Sequence, residues 1–216
     1  MNMNIRIIAL CALASLALAS APARADSLID GSVEAGKAKS ITCAACHGTA
    51  GSSANASWPN LAGQNAPYIV AQLKAFQPGP DGKATRSDPL MSSMAMPLSD
   101  QDIRDLAVYF ESLPAAVNSV ADEKLLARAE ALYRGGNEET KVPACLACHG
   151  PTGRGNPAAT YPMLSGQHAT YTAKQLRDYA SEARTSDGKT RVMRDIAARL
   201  SKDDIAAIAS YVQGLK

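Results

Sequence analysis

Two six-residue stretches decide the fold of this chain: CAACHG at residues 43–48 and CLACHG at residues 145–150. In each stretch two cysteines stand three positions apart, and a histidine follows the second cysteine directly. This spacing occurs in a disulfide, in a redox-active dithiol, in part of a zinc site and in a covalent haem attachment. The sequence around the two stretches distinguishes these possibilities.

A c-type haem attachment explains the two stretches better than the alternatives. A disulfide between cysteines three positions apart would tie neither stretch to a distant part of the chain. A thioredoxin-like dithiol requires surrounding β-strands, which this sequence hardly predicts. A zinc site requires four protein ligands, whereas each stretch supplies three. The predicted haem attachment residues are Cys43, Cys46, Cys145 and Cys148, with His47 and His149 as the proximal iron ligands.

The chain repeats itself, so that each half contains one attachment stretch. Residues 98–113 match residues 200–215 at an offset of 102, with seven identical positions. Residues 59–73 match residues 162–176 at an offset of 103. Copies of roughly a hundred residues have the size of small domains. The chain is therefore predicted to contain two domains and two covalently bound haem c groups.

Each copy is predicted to be helical. Residues 100–111 carry apolar side chains three, four and seven positions apart, and Ser99 with Asp102 forms a capping-box pattern at their start. Further helices are predicted around residues 33–40, 68–76, 123–133 and 171–179. Because strand patterns are nearly absent, the predicted fold class is all-α, with two tandem domains that each wrap around one haem. The domains are predicted at residues 26–115 and 116–216, with a boundary in the proline-containing stretch 113–122.

The N-terminus has the pattern of a cleaved secretory signal peptide. Arg6 precedes the uncharged residues 7–20, and residues 23–25 form an A-x-A cleavage site. The uncharged run is shorter than the ~20 residues that a membrane-spanning helix requires. We therefore predict that residues 1–25 are removed and that the protein is periplasmic, the compartment type in which haem is attached.

The second axial iron ligands are predicted from the methionines. Met91 follows His47 by 44 residues, and Met193 follows His149 by the same 44. Each methionine lies seven residues before the last repeated segment, in a predicted loop. We predict that Met91 and Met193 bind iron, and Met94 remains the alternative in the first domain. With histidine and methionine both bound, the iron has no vacant position for a substrate, and one-electron transfer is the predicted chemistry.

Other repeated residues are candidates for roles around the haem groups. Pro59 and Pro162 are either turn residues or acceptors whose carbonyl oxygens bind the ring N–H of the proximal histidines. His168 has no histidine counterpart in the first copy and is expected to be a polar loop residue. Four aromatic residues are expected to contact the haem edge or a propionate, or else to belong to the core: Trp58, Tyr68, Tyr161 and Tyr171.

The repeated segments resemble the cytochrome c4 family, which consists of tandem class I cytochrome c units. The segments that carry the resemblance are CAACHG, PNLAGQ, LSDQDIRDLAVYF, PACLACHG, GQHATYTAKQL, VMRDIAARLS and YVQGL. The resemblance covers essentially all of the chain after the signal peptide. It implies two helical domains related by a pseudo-twofold axis, with haem propionates facing each other, and it implies the same eight haem-binding residues. One departure is Ala129, where the family often has a glycine such as Gly36 of the first copy.

The resemblance also implies a function. A member of this family is a monomeric periplasmic electron carrier, soluble or loosely held at the membrane, that passes single electrons from the cytochrome bc1 complex toward a terminal haem-copper oxidase of the respiratory chain. An alternative is the cytochrome subunit of a flavoprotein sulfide dehydrogenase, and another is a true haem enzyme such as a peroxidase or thiosulfate-oxidising cytochrome. The formal net charge of +2 shows no basic excess for binding nucleic acid. We expect an electron carrier rather than an enzyme.

Overall fold

The computed structural model describes residues 27–216, and the predicted signal peptide with its cleavage site lies outside them. The first half contains the α-helices α1 (Val33–Lys39), α2 (Ile41–His47), α3 (Ala66–Phe76), α4 (Pro89–Ala95) and α5 (Asp100–Ser112). The second half contains α6 (Leu126–Gly135), α7 (Leu146–His149), α8 (Ala169–Ala180), α9 (Val192–Ala197) and α10 (Lys202–Gly214). Within residues 27–216 β-structure is limited to isolated bridges, which confirms the predicted all-α class.

Short 3₁₀ turns complete the helical pattern. They cover Glu123–Leu125, Pro157–Ala159 and Gly188–Thr190. The first of these turns begins the helix that was predicted around residues 123–133, and α6 then continues to Gly135. Across the part of the chain that the structure describes, no helix combines the length and the apolar character needed to cross a membrane.

The last helix of each half organises the core. Helix α5 packs against α1 and α3, and α10 packs in the same way against α6 and α8. The first core includes Ile69, Leu106 and Phe110, and the second includes Tyr133 and Val212. The two halves therefore bury their apolar side chains in two separate clusters of the same design.

Both organising helices start with a capping box. The Ser99 hydroxyl accepts the Asp102 N–H at 3.2 Å, and the Asp102 carboxylate accepts the Ser99 N–H at 3.0 Å. Ser201 and Asp204 repeat the arrangement at 3.1 and 3.0 Å. Each box satisfies two backbone N–H groups that a helix start leaves without a partner inside the helix. The capping box predicted for the first half is confirmed.

The crossing of α1 and α5 depends on the absence of a side chain at Gly36. A Cβ atom there would lie 2.0 Å from the carbonyl oxygen of Asp105 and 2.7 Å from the Cβ of Tyr109. Its counterpart Ala129 is fully buried in the second core. The second half therefore accommodates one methyl group where the first half accommodates none.

The two domains face each other through side chains that occupy equivalent positions in the repeat. The Gln64 amide accepts the Met163 N–H at 2.8 Å and donates to the Met163 carbonyl at 2.9 Å. The Gln167 amide makes the same two contacts with Asn60, both at 2.9 Å. Each glutamine therefore binds one backbone residue of the opposite domain, as expected for a pseudo-twofold interface.

The connection between the domains runs over the second one. Residues 114–122 have no regular secondary structure, and the Asn118 amide donates to the Gly166 carbonyl at 2.9 Å. The Asp122 N–H donates to the Ser210 hydroxyl at 2.7 Å, on the last helix. The proline-containing stretch is therefore held against α10 before α6 begins.

Candidate haem sites

The paired cysteines and the histidine lie on one short helix in each domain. Cys43 and Cys46 belong to α2, and His47 is the last residue of that helix. In the second domain Cys145 caps the start of α7, which ends at His149. Because an α-helix has 3.6 residues per turn, positions three apart share a face, so both thiols of each stretch can bind one flat ligand. The glycine that follows each histidine has a positive φ, 78° at Gly48, and ends the helix.

Two of the four cysteine thiols lie in surroundings that keep them protonated. All four described cysteines are free. Burial raises the pKa of Cys43, and it raises the pKa of Cys145 to about 11, so these thiols stay protonated at neutral pH. Among residues 27–216, no three His, Cys, Asp or Glu side chains are grouped so that they hold a metal ion. Raised pKa values at Cys43 and Cys145 disfavour the thiolate form that zinc binding and redox exchange require.

The two histidine rings are buried and held by prolyl carbonyls. His47 is 5% exposed, and its Nδ1 lies 2.8 Å from the carbonyl oxygen of Pro59. His149 is 7% exposed, and its Nδ1 lies 3.0 Å from the carbonyl oxygen of Pro162. A carbonyl only accepts, so each Nδ1 carries the proton and each Nε2 presents its lone pair. The interpretation of the two prolines as hydrogen-bond acceptors is confirmed.

The protonation state of these rings matches that of an iron ligand. Burial lowers the pKa of His47 and of His149, and the prolyl hydrogen bond opposes this effect only in part. A neutral imidazole with a fixed tautomer is the form that binds a metal. Both rings therefore have the tautomer and the charge state that a metal-binding imidazole requires.

The predicted methionine ligands lie on short helices, whereas loops were expected. Met91 is in α4 and Met193 is in α9. Asp88 explains the first helix, because its carboxylate accepts the N–H groups of Leu90 and Met91. The prediction of loops at these positions is wrong, since the Asp88–Pro89 pair is itself a helix-start signal.

The surroundings support the assignment of Met193 more directly than that of Met91. Met193 packs against the same core as Cys145. Met91 is half-buried, whereas Met94 is 37% exposed. Met163 is buried at the domain interface, where Gln64 binds its backbone. The structure thus brings Met193 and Cys145 to one core, while Met91 is not among the described side chains packed against the first core.

The repeated aromatic residues divide into two groups. The Tyr161 ring lies 6.2 Å from the ring of His149, the predicted proximal ligand of the second domain. Tyr68 and Tyr171 lie at the domain interface, where their hydroxyls accept hydrogen bonds from arginines of the opposite domain. His168 also lies there, because its Nε2 is 2.9 Å from the Ser53 carbonyl. The interpretation of His168 as a polar loop residue omitted this contact.

A haem in the second domain agrees with one further observation. The Thr172 hydroxyl is buried and has no hydrogen-bond partner among the described residues. Thr172 stands one turn before Leu176, on the face of α8 that is directed toward the core with Cys145 and Met193. A buried hydroxyl ordinarily has a partner, so this side of the core is suited to a group with polar atoms. The residues present therefore fit the predicted cofactor.

The interface glutamines and arginines were not predicted from the sequence as functional residues. Gln64 and Gln167 belong to the matched GQ dipeptides, so the repeat contained a signal for them. Arg86 and Arg184 are 98 residues apart, outside both repeat offsets. The proximity of the two arginines is visible only in the three-dimensional structure.

Comparison with known proteins agrees with this arrangement. The sequence profile of the Cytochrome c family matches this chain twice, at residues 33–114 and at residues 128–216. Cytochrome c4 of Azotobacter vinelandii is 48% identical over 190 residues, which cover 86% of this chain and 90% of the relative. The crystal structure of reduced recombinant cytochrome c4 from Pseudomonas stutzeri superposes with a TM-score of 0.81 at 46% identity, and covers 87% of this chain and 100% of that chain.

A less similar relative is named for a different role. The thiosulfate dehydrogenase electron acceptor of Stutzerimonas stutzeri is 36% identical over 179 residues, with 79% of this chain and 77% of the relative covered.

The fold and the paired sites define a tandem haem-binding electron-transfer protein. Two covalently bound haem c groups, one in each domain, are its cofactors. The chain belongs to the cytochrome c family, and within it to the di-haem cytochromes c4.

Proposed function

We propose that each domain holds one haem c through a matched set of four side chains. The first set is Cys43, Cys46, His47 and Met91, and the second set is Cys145, Cys148, His149 and Met193. The observation that carries this proposal is the buried histidine of each stretch, whose Nδ1 binds a prolyl carbonyl at 2.8 Å in one domain and 3.0 Å in the other. That bond orients each ring and directs its Nε2 lone pair toward the ligand.

The ligand set makes each site suitable for single electrons. With a histidine and a methionine as its protein ligands, a bound haem iron would supply one-electron oxidation and reduction. The cysteines would keep the cofactor attached in both oxidation states, and both histidines are buried away from water. The methionine thioether raises the reduction potential relative to a second histidine. These residues together favour an electron carrier over a haem enzyme that binds substrate at iron.

We further propose the cellular setting. Residues 1–25 act as a signal peptide, and residues 26–115 and 116–216 form the two domains of a periplasmic monomer, soluble or loosely associated with the membrane. In this setting the protein accepts electrons from the cytochrome bc1 complex and delivers them to a terminal haem-copper oxidase. The support is the similarity to cytochromes c4 over most of the chain.

A direct experiment measures both halves of this transfer. The purified holoprotein is mixed with reduced bc1 complex, and the rate of haem reduction is followed in a stopped-flow spectrophotometer; the reduced protein is then mixed with a haem-copper oxidase under air. We expect both steps to turn over repeatedly, with both haem groups cycling. Failure of both steps, with two intact haem groups present, would contradict the proposed place in the respiratory chain.

A second candidate function is the electron acceptor or cytochrome subunit of a dehydrogenase, such as a flavoprotein sulfide dehydrogenase. The similarity to a thiosulfate dehydrogenase electron acceptor favours this class. The same stopped-flow assay with a purified dehydrogenase and its substrate as donor distinguishes it. Reduction that is faster than with the bc1 complex, together with co-purification of the two proteins, would favour the second function.

A further inference from the structure

Two arginines meet at the domain interface, one from each domain. Arg86 and Arg184 form an antiparallel backbone bridge across the interface. The guanidinium of Arg86 lies 4.5 Å from the ring centroid of Phe76, and that of Arg184 lies 4.5 Å from the ring centroid of Tyr179. Phe76 and Tyr179 are 103 residues apart and so occupy equivalent positions in the repeat, although the two arginines that stack on them do not. The arrangement is therefore a built, nearly symmetric element of the interface.

Arg86 bonds to residues of both domains. Its Nη2 donates to the Tyr171 hydroxyl at 2.7 Å and to Gln175 Oε1 at 2.9 Å, both in the second domain. Its Nη1 donates to Gln72 Oε1 at 3.0 Å, in its own domain. Every one of these acceptors is uncharged.

Arg184 makes the corresponding bonds in the opposite direction. Its Nη2 donates to the Tyr68 hydroxyl at 2.8 Å and to Gln72 Oε1 at 2.6 Å, both in the first domain. Its Nη1 donates to Gln175 Oε1 at 2.7 Å, and its Nε to the Ser186 hydroxyl at 2.9 Å. These acceptors are uncharged as well.

The interface therefore contains positive charge without a carboxylate. Arg184 is 3% exposed, and none of the hydrogen bonds described for Arg86 or Arg184 ends on an aspartate or glutamate. The same fold treats another buried arginine differently, because Arg194 pairs with the buried carboxylate of Asp187 at 2.7 Å. A buried charge is costly unless a counter-charge accompanies it. The hydrogen bonds described for the two interface arginines therefore give them no counter-charge from the protein chain. An anion from another source would balance them.

We propose that Arg86 and Arg184 together bind haem propionate carboxylates at the domain interface and that, as a shared charge, they raise the reduction potentials of both haem groups. This inference rests on the proposed function. Each haem c has two propionates, so the cofactors supply carboxylates where the chain supplies none. A guanidinium has five N–H donors, and the bonds described above use three of them at Arg86 and four at Arg184, so each arginine retains a donor for a carboxylate.

The shared position has a measurable electrochemical consequence. A positive charge near a haem disfavours the more positive ferric state and so raises the reduction potential. Because each arginine contacts both domains, the loss of one charge is expected to act on both haem groups. A residue that only ties the domains together would change stability without this effect on the potentials.

The test compares three variants of the holoprotein. Arg184→Gln removes the charge, Arg184→Lys keeps it without the planar donor pair, and Arg177→Gln removes an exposed arginine from α8 as the control. Haem content, the two midpoint potentials and the thermal unfolding of the ferric protein are measured for each. We expect both midpoints to fall in Arg184→Gln, to stay near the parent values in Arg184→Lys, and to be unchanged in Arg177→Gln.

Other outcomes overturn the inference. If Arg184→Gln loses stability but keeps both parent midpoints, the arginine is only a structural tie. If one midpoint alone falls, the charge is not shared. Should Arg184→Gln not accumulate with two haem groups, Arg86→Gln at the half-buried partner position takes its place, with the same expectation. Failure of the proposed function itself is distinguishable, because the parent protein would then lack two histidine- and methionine-ligated haem groups.

Discussion

Gln64 and Gln167 occupy equivalent positions in the repeat, and each binds both backbone groups of one residue in the opposite domain. Gln64 holds Met163, and Gln167 holds Asn60. All four side-chain and backbone partners are buried. The relationship makes the domain interface a specific polar contact rather than a loose association of two separate cytochrome units.

Gln64→Ala is expected to uncouple the domains. The substitution leaves the Met163 N–H and carbonyl without partners, at a cost of about 2–4 kcal/mol in unfolding free energy. Urea unfolding of the holoprotein, followed by circular dichroism, should change from one transition to two. Gln77→Ala is the matched control, because Gln77 makes two 2.9 Å bonds to Ala95 and Leu98 within its own domain. The interface account fails if the two variants unfold alike.

Met193→Ala is expected to leave the second haem attached while lowering its reduction potential. The thioether bonds to Cys145 and Cys148 do not involve the methionine, but the stabilisation of ferrous iron by sulfur is lost. Intact mass reports haem content, and spectroelectrochemistry reports the two potentials. Met94→Ala, at an exposed position, serves as the control and should behave as the parent. Equal shifts of both potentials in Met193→Ala would refute the assignment of Met193 to one haem.

Asp102→Asn is expected to make the unfolding stability depend less on pH in acid. The Lys39 ammonium, followed by the Ser99 cap, lowers the pKa of Asp102 to about 2. Because an unfolded aspartate titrates near ~3.9, this carboxylate stabilises the fold above that pH, and its contribution is lost as the pH falls toward 2. Thermal unfolding between pH 5 and pH 2 should therefore depend less on pH in the variant.

Asp100→Asn is the comparison for this prediction, since Asp100 lies in the same helical turn but outside the capping box. If both variants show the same pH dependence, general surface charge rather than the capping box governs the loss of stability between pH 5 and pH 2.

Gly36→Ala is expected to destabilise the first domain by more than about 2 kcal/mol. The added methyl group meets the Asp105 carbonyl. This overpacking outweighs the gain in helix propensity from alanine. Gly135→Ala in α6 is the control, because a Cβ atom there meets nothing within 4 Å. Chemical denaturation of both proteins gives the comparison. A neutral effect of Gly36→Ala would show that α1 and α5 can separate without cost.

Most of the fold could be predicted from the sequence because the chain contains two copies of one unit, and a feature present at equivalent positions in both copies is a stronger signal than a single occurrence. The histidine–proline contacts and the capping box at Ser99 follow from local spacing, and the structure confirms them. The Asp88–Pro89 pair is a start signal for the helix that contains Met91, whereas the helix that contains Met193 begins after Arg191 without a side-chain cap. The meeting of Arg86 and Arg184 was not predictable, since their spacing leaves the repeat and their contacts depend on how the domains pack.

The near-infrared optical spectrum of the ferric holoprotein tests the central claim most directly, because the weak methionine–iron charge-transfer band can be quantified per haem. The account predicts two methionine-ligated haem groups in each chain, one with Met91 and one with Met193. A band that corresponds to one haem or to none would contradict it, because an iron would then have a different or an exchangeable ligand.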